Sequence, residues 1–221
     1  KNSGQLTHWS LEGTEQLQSP MSDNFARAPL DNDICSSQVD HPSPDSWLSE
    51  WQAAGLFEWE HRCLDISLDE SCKRLTARHG YFNNNRLMVS STWHYVFSAD
   101  GTVAITIGVE VSESAPTLPR VGAALHLSQD PGQVSWFGRG PHENYPDRKH
   151  SAVFGQWTQS TQDMHTPYIF PSENGLRSDV SKARIGRILI RGEFSLGVSR
   201  YSVKQLMAAQ HEHELMPEEG L

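Results

Sequence analysis

The sequence has no long hydrophobic run, little cysteine and no excess of positive charge, and each shortage removes a class of explanation. No apolar stretch approaches the ~20 residues that a membrane-spanning helix needs. The hydrophobic fraction is 37% and the mean hydropathy is -0.55, so a polar, cytoplasmic chain is expected. Lys1 opens directly into a polar stretch with no leader pattern, and the absence of an initiator Met leads us to expect a piece of a longer polypeptide. Three cysteines, Cys35, Cys63 and Cys72, form no CxxC pair. Reduced thiols are the expectation, with a Cys63–Cys72 bridge left open. The formal net charge of -9 argues against a nucleic-acid partner, which would call for a basic patch. There is no Gly-rich phosphate loop, no GxSxG elbow, no HExxH and no internal repeat.

What is present is mostly β-pattern. Ser3-Gly4 and Glu12-Gly13 suggest a short hairpin over residues 2–18, with Gln5, Thr7 and Trp9 on one side of an extended strand. Asp31-Asn32-Asp33 are poor strand and poor helix formers, and are expected to make a loop that caps a helix, with a cation or sugar-hydroxyl site as the functional alternative. Asp45-Ser46 is a plausible helix start. Trp47, Leu48, Trp51, Ala53, Ala54 and Leu56 fit one short amphipathic helix near residues 45–55, ended by Gly55, with both tryptophans packed inward. From Glu58 to Leu127 the period is two. Strands are expected over Cys63–Leu68, Ser71–His79 and Leu87–Phe97. After the turn Ala99-Asp100-Gly101-Thr102, Val103, Ile105, Ile107, Val109 and Val111 should face a core. Two more strands are expected between Arg187 and Tyr201, around Gly192. Val203–His213 is ambiguous between a short helix and a loop. Strand–turn–strand spacing with little helix predicts a single all-β domain over residues 1–221.

The chemistry-bearing residues concentrate between Trp136 and Arg177. Gly138, Gly140 and Pro141, Asn144 to Asp147, and Phe170 to Gly175 read as loops lining a recognition surface. Glu143, Asp147, Glu173 and Asp179 could supply a pair of catalytic carboxylates. Ion pairs and turn caps with Arg139, Arg148 and Arg177 are the favoured account of them. His211 and His213 share a strand face by spacing, and His126, His142, His150 and His165 could join them on a metal. No third ligand can be picked out, and surface histidines are the better account. Trp93, Trp136 and Trp157 could form an aromatic row for sugars, although core packing explains them equally well.

Several of these stretches, in order, resemble the C-terminal, small-chain domain of the bacterial β-galactosidases of glycoside hydrolase family 2. They are Phe25–Asp33 (FARAPLDND), Trp136–Arg148 (WFGRGPHENYPDR), Thr166–Arg177 (TPYIFPSENGLR) and Ser199–Met207 (SRYSVKQLM). The resemblance implies an antiparallel supersandwich of the galactose mutarotase type, and a parent enzyme that hydrolyses terminal β-D-galactosides such as lactose with retention. It implies a homotetrameric parent that uses magnesium and sodium, whose acid/base and nucleophile glutamates lie upstream of this chain. The family's sugar-stacking tryptophan would follow the segment matching Glu218-Glu219-Gly220, beyond this sequence. A sodium held by backbone carbonyls would fall on Phe170, Pro171, Leu206 and Ala209, where Ala209 departs from a hydroxyl residue. The expected role is non-catalytic, supporting the active-site pocket and assembly. The rival expectations are a mutarotase-like epimerase, pairing Glu143 or Glu173 with His142 or His165, and a carbohydrate-binding module.

Overall fold

The computed structural model describes residues 3–36, 41–71 and 73–218. Its chain divides into two compact units. The first takes residues 1–7, 20–27 and 31–125, and the second takes residues 8–19, 28–30 and 126–221. The expected all-β class holds. Strands β1 (Ser10–Leu11), β2 (Thr14–Glu15) and β3 (Leu17–Asn24) open the chain. β1 and β2 pair around Glu12-Gly13, where both residues have positive φ, as tight hairpin turns require. The strand expected at Gln5–Trp9 does not form.

In the first unit, Asp31–Ile34 form one helical turn, α1, instead of a capping loop. Its Asp33 is buried and lies 2.6 Å from Arg27, an ion pair that compensates the poor local propensity. α2 (Trp47–Ala53) is the expected amphipathic helix. The Ser46 hydroxyl accepts from the Ser49 N–H at its start, and Gly55 turns the chain at φ 65° after its end. Leu48 and Trp51 are buried, and the Trp51 indole donates to the Thr117 carbonyl at 2.8 Å. Trp47 departs from expectation, being 47% exposed. It sits on the turn away from the core because 100° per residue carries it past the Leu48–Trp51 face.

The sheet of this unit is an antiparallel meander of β4 (Glu60–Asp69), β5 (Arg74–Asn83), β6 (Arg86–Phe97) and β7 (Val103–Val111). β5 and β6 are joined by Asn84-Asn85, both at positive φ, a two-residue turn the sequence reading passed over. β7 alternates as expected, except that Val111 at its end is exposed. Two apolar clusters result. One gathers Phe25, Ile34, Leu48, Trp51, Leu56, Tyr81 and Val89, and the other Met21, Trp93 and Tyr95. Cys35 and Cys63 are free thiols, and the Cys63–Cys72 question falls on Cys72, outside the described residues.

β8 (Gly122–Leu127) pairs with β3. The second unit carries the sheet β10-β9-β11-β12, formed by β9 (Gln133–Gly140), β10 (Val153–Ser160), β11 (Arg177–Ile185) and β12 (Ile188–Leu196). Gly138 and Gly140 therefore lie in a strand rather than in a loop, whereas residues 144–147 and 170–175 form neither helix nor strand, as expected. β9 and β10 stay in register from Val153 opposite Gly140 to Ser160 opposite Gln133. Gly138 belongs in a strand because a Cβ there would lie 2.8 Å from the Val180 Cα of β11. β11 and β12 turn at Gly186-Arg187, not at Gly192. Gly192 lies inside β12 beside a register shift, consistent with a bulge. Val134, Trp136, Val180 and Ala183 build the core under this sheet, while Phe137 and Phe154 meet edge to face at 4.9 Å on the exposed side. The ambiguous segment resolves into α3 (Val203–Ala208), capped by the Ser202 side chain, followed by a 3-10 turn at Glu212–Glu214.

Candidate functional site

The two glycine- and proline-rich motifs of the second unit fold onto each other through side chains that accept or donate nearly everything they can. Asn144 is fully buried. Its backbone N–H donates to the Leu176 carbonyl at 2.8 Å, its amide donates to the His142 carbonyl at 3.1 Å, and its side-chain oxygen accepts from the Ser178 N–H and hydroxyl. Arg177, 1% exposed, donates to the carbonyls of Pro141 (3.0 Å) and Gly175 (2.8 Å) and to the Gln159 side-chain oxygen (2.8 Å). Its guanidinium lies 5.5 Å from the centre of the Trp136 ring. Burial lowers the pKa of Arg177, with Glu143 and Tyr145 opposing that shift. Gly175 is required where it stands, because φ is 79° and a Cβ would lie 2.6 Å from the Met164 carbonyl oxygen.

Glu143 sits inside this arrangement. It accepts hydrogen bonds from the Arg148 guanidinium, the Tyr168 hydroxyl and the Gly175 N–H, the last at 2.7 Å. Burial pushes its carboxyl pKa up, but the Gly175 N–H, Tyr168 and Arg148 together outweigh burial and hold it below the ordinary value. A carboxylate held ionised by three donors is a poor proton donor, and three of its four lone-pair sites are taken. Asp179 lies between Lys149 (2.6 Å) and Arg139 (2.7 Å), and both cations lower its pKa. The favoured reading of these two carboxylates as ion-pair partners therefore holds. Arg177 departs from it, since its bonded partners are carbonyl and amide oxygens. Glu173 is buried and Asp147 is exposed.

The remaining sequence candidates are dispersed. Trp93 and Trp136 are 1% exposed, and Trp157 donates to the Gly138 carbonyl at 3.1 Å, so the three do not make an exposed row. His142 reaches Ser151 at 3.1 Å, His211 reaches Glu214 at 2.9 Å, and His165 reaches Glu212 at 2.9 Å. His211 and His213 stack at 5.4 Å. Among the described residues no group of three or more His, Cys, Asp or Glu side chains is placed to hold a metal. Of the four carbonyl positions, Pro171, Leu206 and Ala209 are buried and Phe170 is half-buried. The Gln210 N–H donates to the Glu214 carboxylate instead of to Leu206, so α3 ends with that carbonyl beyond the helical ladder.

Two features escaped the sequence reading. One is a second carboxylate centre, in the first unit. Asp23 accepts from Tyr81 (2.8 Å), Ser91 (2.6 Å) and Trp93 (3.0 Å), beside the imidazoles of His61 and His79, whose ring nitrogens are 3.0 Å apart. Burial lowers the pKa of both histidines, and for His79 the neighbouring His61 adds to the effect. Period-two alternation placed Ser91 and Trp93 on a strand and stopped the preceding strand at His79, short of Tyr81, and nothing local tied the three to Asp23. The other is a cavity of 530 Å³ in the second unit, partly lined by Gln162, Asp163, His165, Arg200, Tyr201 and Glu212.

The interlock of the two motifs is what a comparison with known proteins must account for. Residues 1–221 match the family model described as the β-galactosidase small chain. The chain belongs to that family. The β-galactosidase of Aeromonas hydrophila is 43% identical over 225 residues, covering 100% of this chain and 22% of that protein. The β-galactosidases of Klebsiella pneumoniae and of Yersinia pestis are 41% and 40% identical over the whole of this chain, which covers 22% and 21% of their lengths. The chain thus spans about a fifth of the curated relatives it matches.

Proposed function

We propose that this chain is the non-catalytic small-chain part of a cytoplasmic β-galactosidase. The parent hydrolyses terminal β-D-galactosides such as lactose with retention, and the chain adopts the galactose mutarotase-like supersandwich. Its work is to support the active-site pocket and the assembly of the parent, whose other domains are its partners and which forms a homotetramer. The observation that carries this reading is the state of Glu143: ionised, buried and bound by Arg148, Tyr168 and the Gly175 N–H. Retaining hydrolysis needs two carboxyl groups about 5–5.5 Å apart that are free to exchange protons and attack carbon. Glu143 and Asp179 are committed elsewhere.

The magnesium of the parent is assigned to its other domains. A sodium is assigned here to the backbone carbonyls of Phe170, Pro171, Leu206 and Ala209. Carbonyl oxygens suit a hard cation whatever side chain bears them, so Ala209 can contribute through its backbone alone.

The deciding experiment has two arms. The isolated chain, freed of host enzyme, should release no product from a chromogenic β-galactoside. Mixed with the remainder of the parent polypeptide, it should raise that polypeptide's turnover. Turnover by the chain alone would overturn the assignment. Acceleration of α-galactose mutarotation by the chain would favour the epimerase reading, against which the bound state of Glu143 and the 3.1 Å contact of His142 with Ser151 already speak.

A further inference from the structure

The 530 Å³ cavity of the second unit lies within the size range of small-ligand sites and is polar where most such sites are apolar. The 3-10 turn Gln162–Met164 supplies Gln162 and Asp163, the following segment supplies His165, and the chain flanking α3 supplies Arg200, Tyr201 and Glu212. Three observations define what fits. His165 holds Glu212 through one carboxylate oxygen at 2.9 Å, while the other, Oε2, is buried and has no hydrogen-bond partner. A carboxylate oxygen without a donor in the chain calls for one, and a ligand in the cavity that the 35% exposed Glu212 side chain lines supplies it once the carboxylate turns toward it. The Tyr201 ring, fixed edge to face against His165 at 4.9 Å, offers an apolar surface with a polar tip. The charge balance disfavours anions: Asp163 and Glu212 are acidic, and Arg200, whose Nε has no hydrogen-bond partner, lies 3.2 Å from the Asp130 carboxylate.

We propose that this cavity binds a neutral sugar, with a hydroxyl donating to Glu212 Oε2, further hydroxyls on Gln162 and Asp163, and the C–H face of the ring against Tyr201. The requirement is for several hydroxyl donors and one apolar face on an uncharged body, which a pyranose meets and a phosphate does not. The site adjoins the Arg177 hub through Gln159, which lines the cavity and accepts from Arg177, and it involves no bond-breaking step. It does not need the family's platform tryptophan, because Tyr201 supplies a ring of its own. Neither the proposed parent enzyme nor its substrate enters the argument.

The test is saturation-transfer NMR and calorimetry on the full 221-residue chain with galactose, glucose, lactose and, as a cationic probe, choline. Saturable binding of at least one sugar is expected. Glu212→Gln and Tyr201→Ala should each weaken it about tenfold or more, the loss of a charge-assisted hydrogen bond or of a ring contact. Phe137→Ala, on the exposed face of the sheet, should leave it unchanged. Should either cavity variant fail to fold, sugar-induced shifts of the Tyr201 and His165 ring resonances in the unaltered chain decide the matter. No saturable sugar binding, binding of choline alone, or sugar binding indifferent to both variants with those ring resonances unmoved would overturn the proposal.

Discussion

Each compact unit holds a carboxylate among donors, and the two are built from opposite materials. Asp23 in the first unit is met by three neutral side chains, Tyr81, Ser91 and Trp93, all on the meander sheet. Glu143 in the second is met by a guanidinium, a phenol and a backbone N–H, all from two loop motifs. The first arrangement ties a strand to a sheet through residues 58–70 positions away in sequence. The second ties one loop to another 32 residues away and leans on charge. Neutral donors around an acid depend on correct sheet registry. Charged donors around an acid are less sensitive to registry and more sensitive to pH and salt. The first is a folding constraint, and the second is a means of fixing a surface.

The strongest challenge to this contrast is at the hub of the second unit. Arg177→Met removes the donor shared by Pro141, Gly175 and Gln159 and should cost about 4 kcal/mol in urea unfolding, since each stranded buried acceptor costs ~1–3 kcal/mol. A loss under about 1 kcal/mol would mean that the Glu143 and Asn144 bonds hold the motifs together without Arg177. In the first unit, Trp93→Phe keeps an aromatic ring and deletes one donor to Asp23. A loss of about 2 kcal/mol is expected, with faster amide exchange in β5 and β6 but not in β9.

Acid should separate the units in order. His61 and His79 have folded pKa values below the unfolded ~6.5, so their contribution is complete above that pH and falls as the pH drops toward the folded values. Glu143 is also depressed, but from the carboxylate range. Its contribution is complete above ~4.3 and falls as the pH drops through its folded value. Hydrogen exchange between pH 7 and 5 should therefore loosen β5 before β9, and His79→Gln should flatten that first phase. Loosening of both sheets together would break the comparison. The smallest effect is expected at Trp47, where Trp47→Ala on the exposed helix face should change stability by no more than about 0.5 kcal/mol. A loss comparable to that of a buried tryptophan would restore the reading that both helix tryptophans pack.

The same contrast governs what could be read in advance. Ser46 and Gly55 bracketed α2, and the alternation of β7 and the turn at Gly101 were legible because cap, period and turn signals are local. The pairing of Glu143 and Asp179 with arginines could be anticipated because acids and bases were dense in one stretch. The end of β9 was misread as a loop, since Gly138 and Gly140 look like breakers until the close approach of Val180 and of the Trp136 and Trp157 rings is known. The burial of Arg177 was not legible either, because its partners are carbonyls, which every residue has.

The amino-acid order by itself determined the all-β class, the family and the segments that would carry polar chemistry. These follow from period, turn residues and the sequence of motifs along the chain. Tertiary structure alone decided that Glu143 is bound rather than available, that Asp23 gathers three distant donors, and that Glu212 keeps one oxygen without a partner. Hydrogen bonding is directional and short-ranged, so the state of a polar group depends on which atoms lie within about 3 Å of it. No local pattern in the chain encodes that distance.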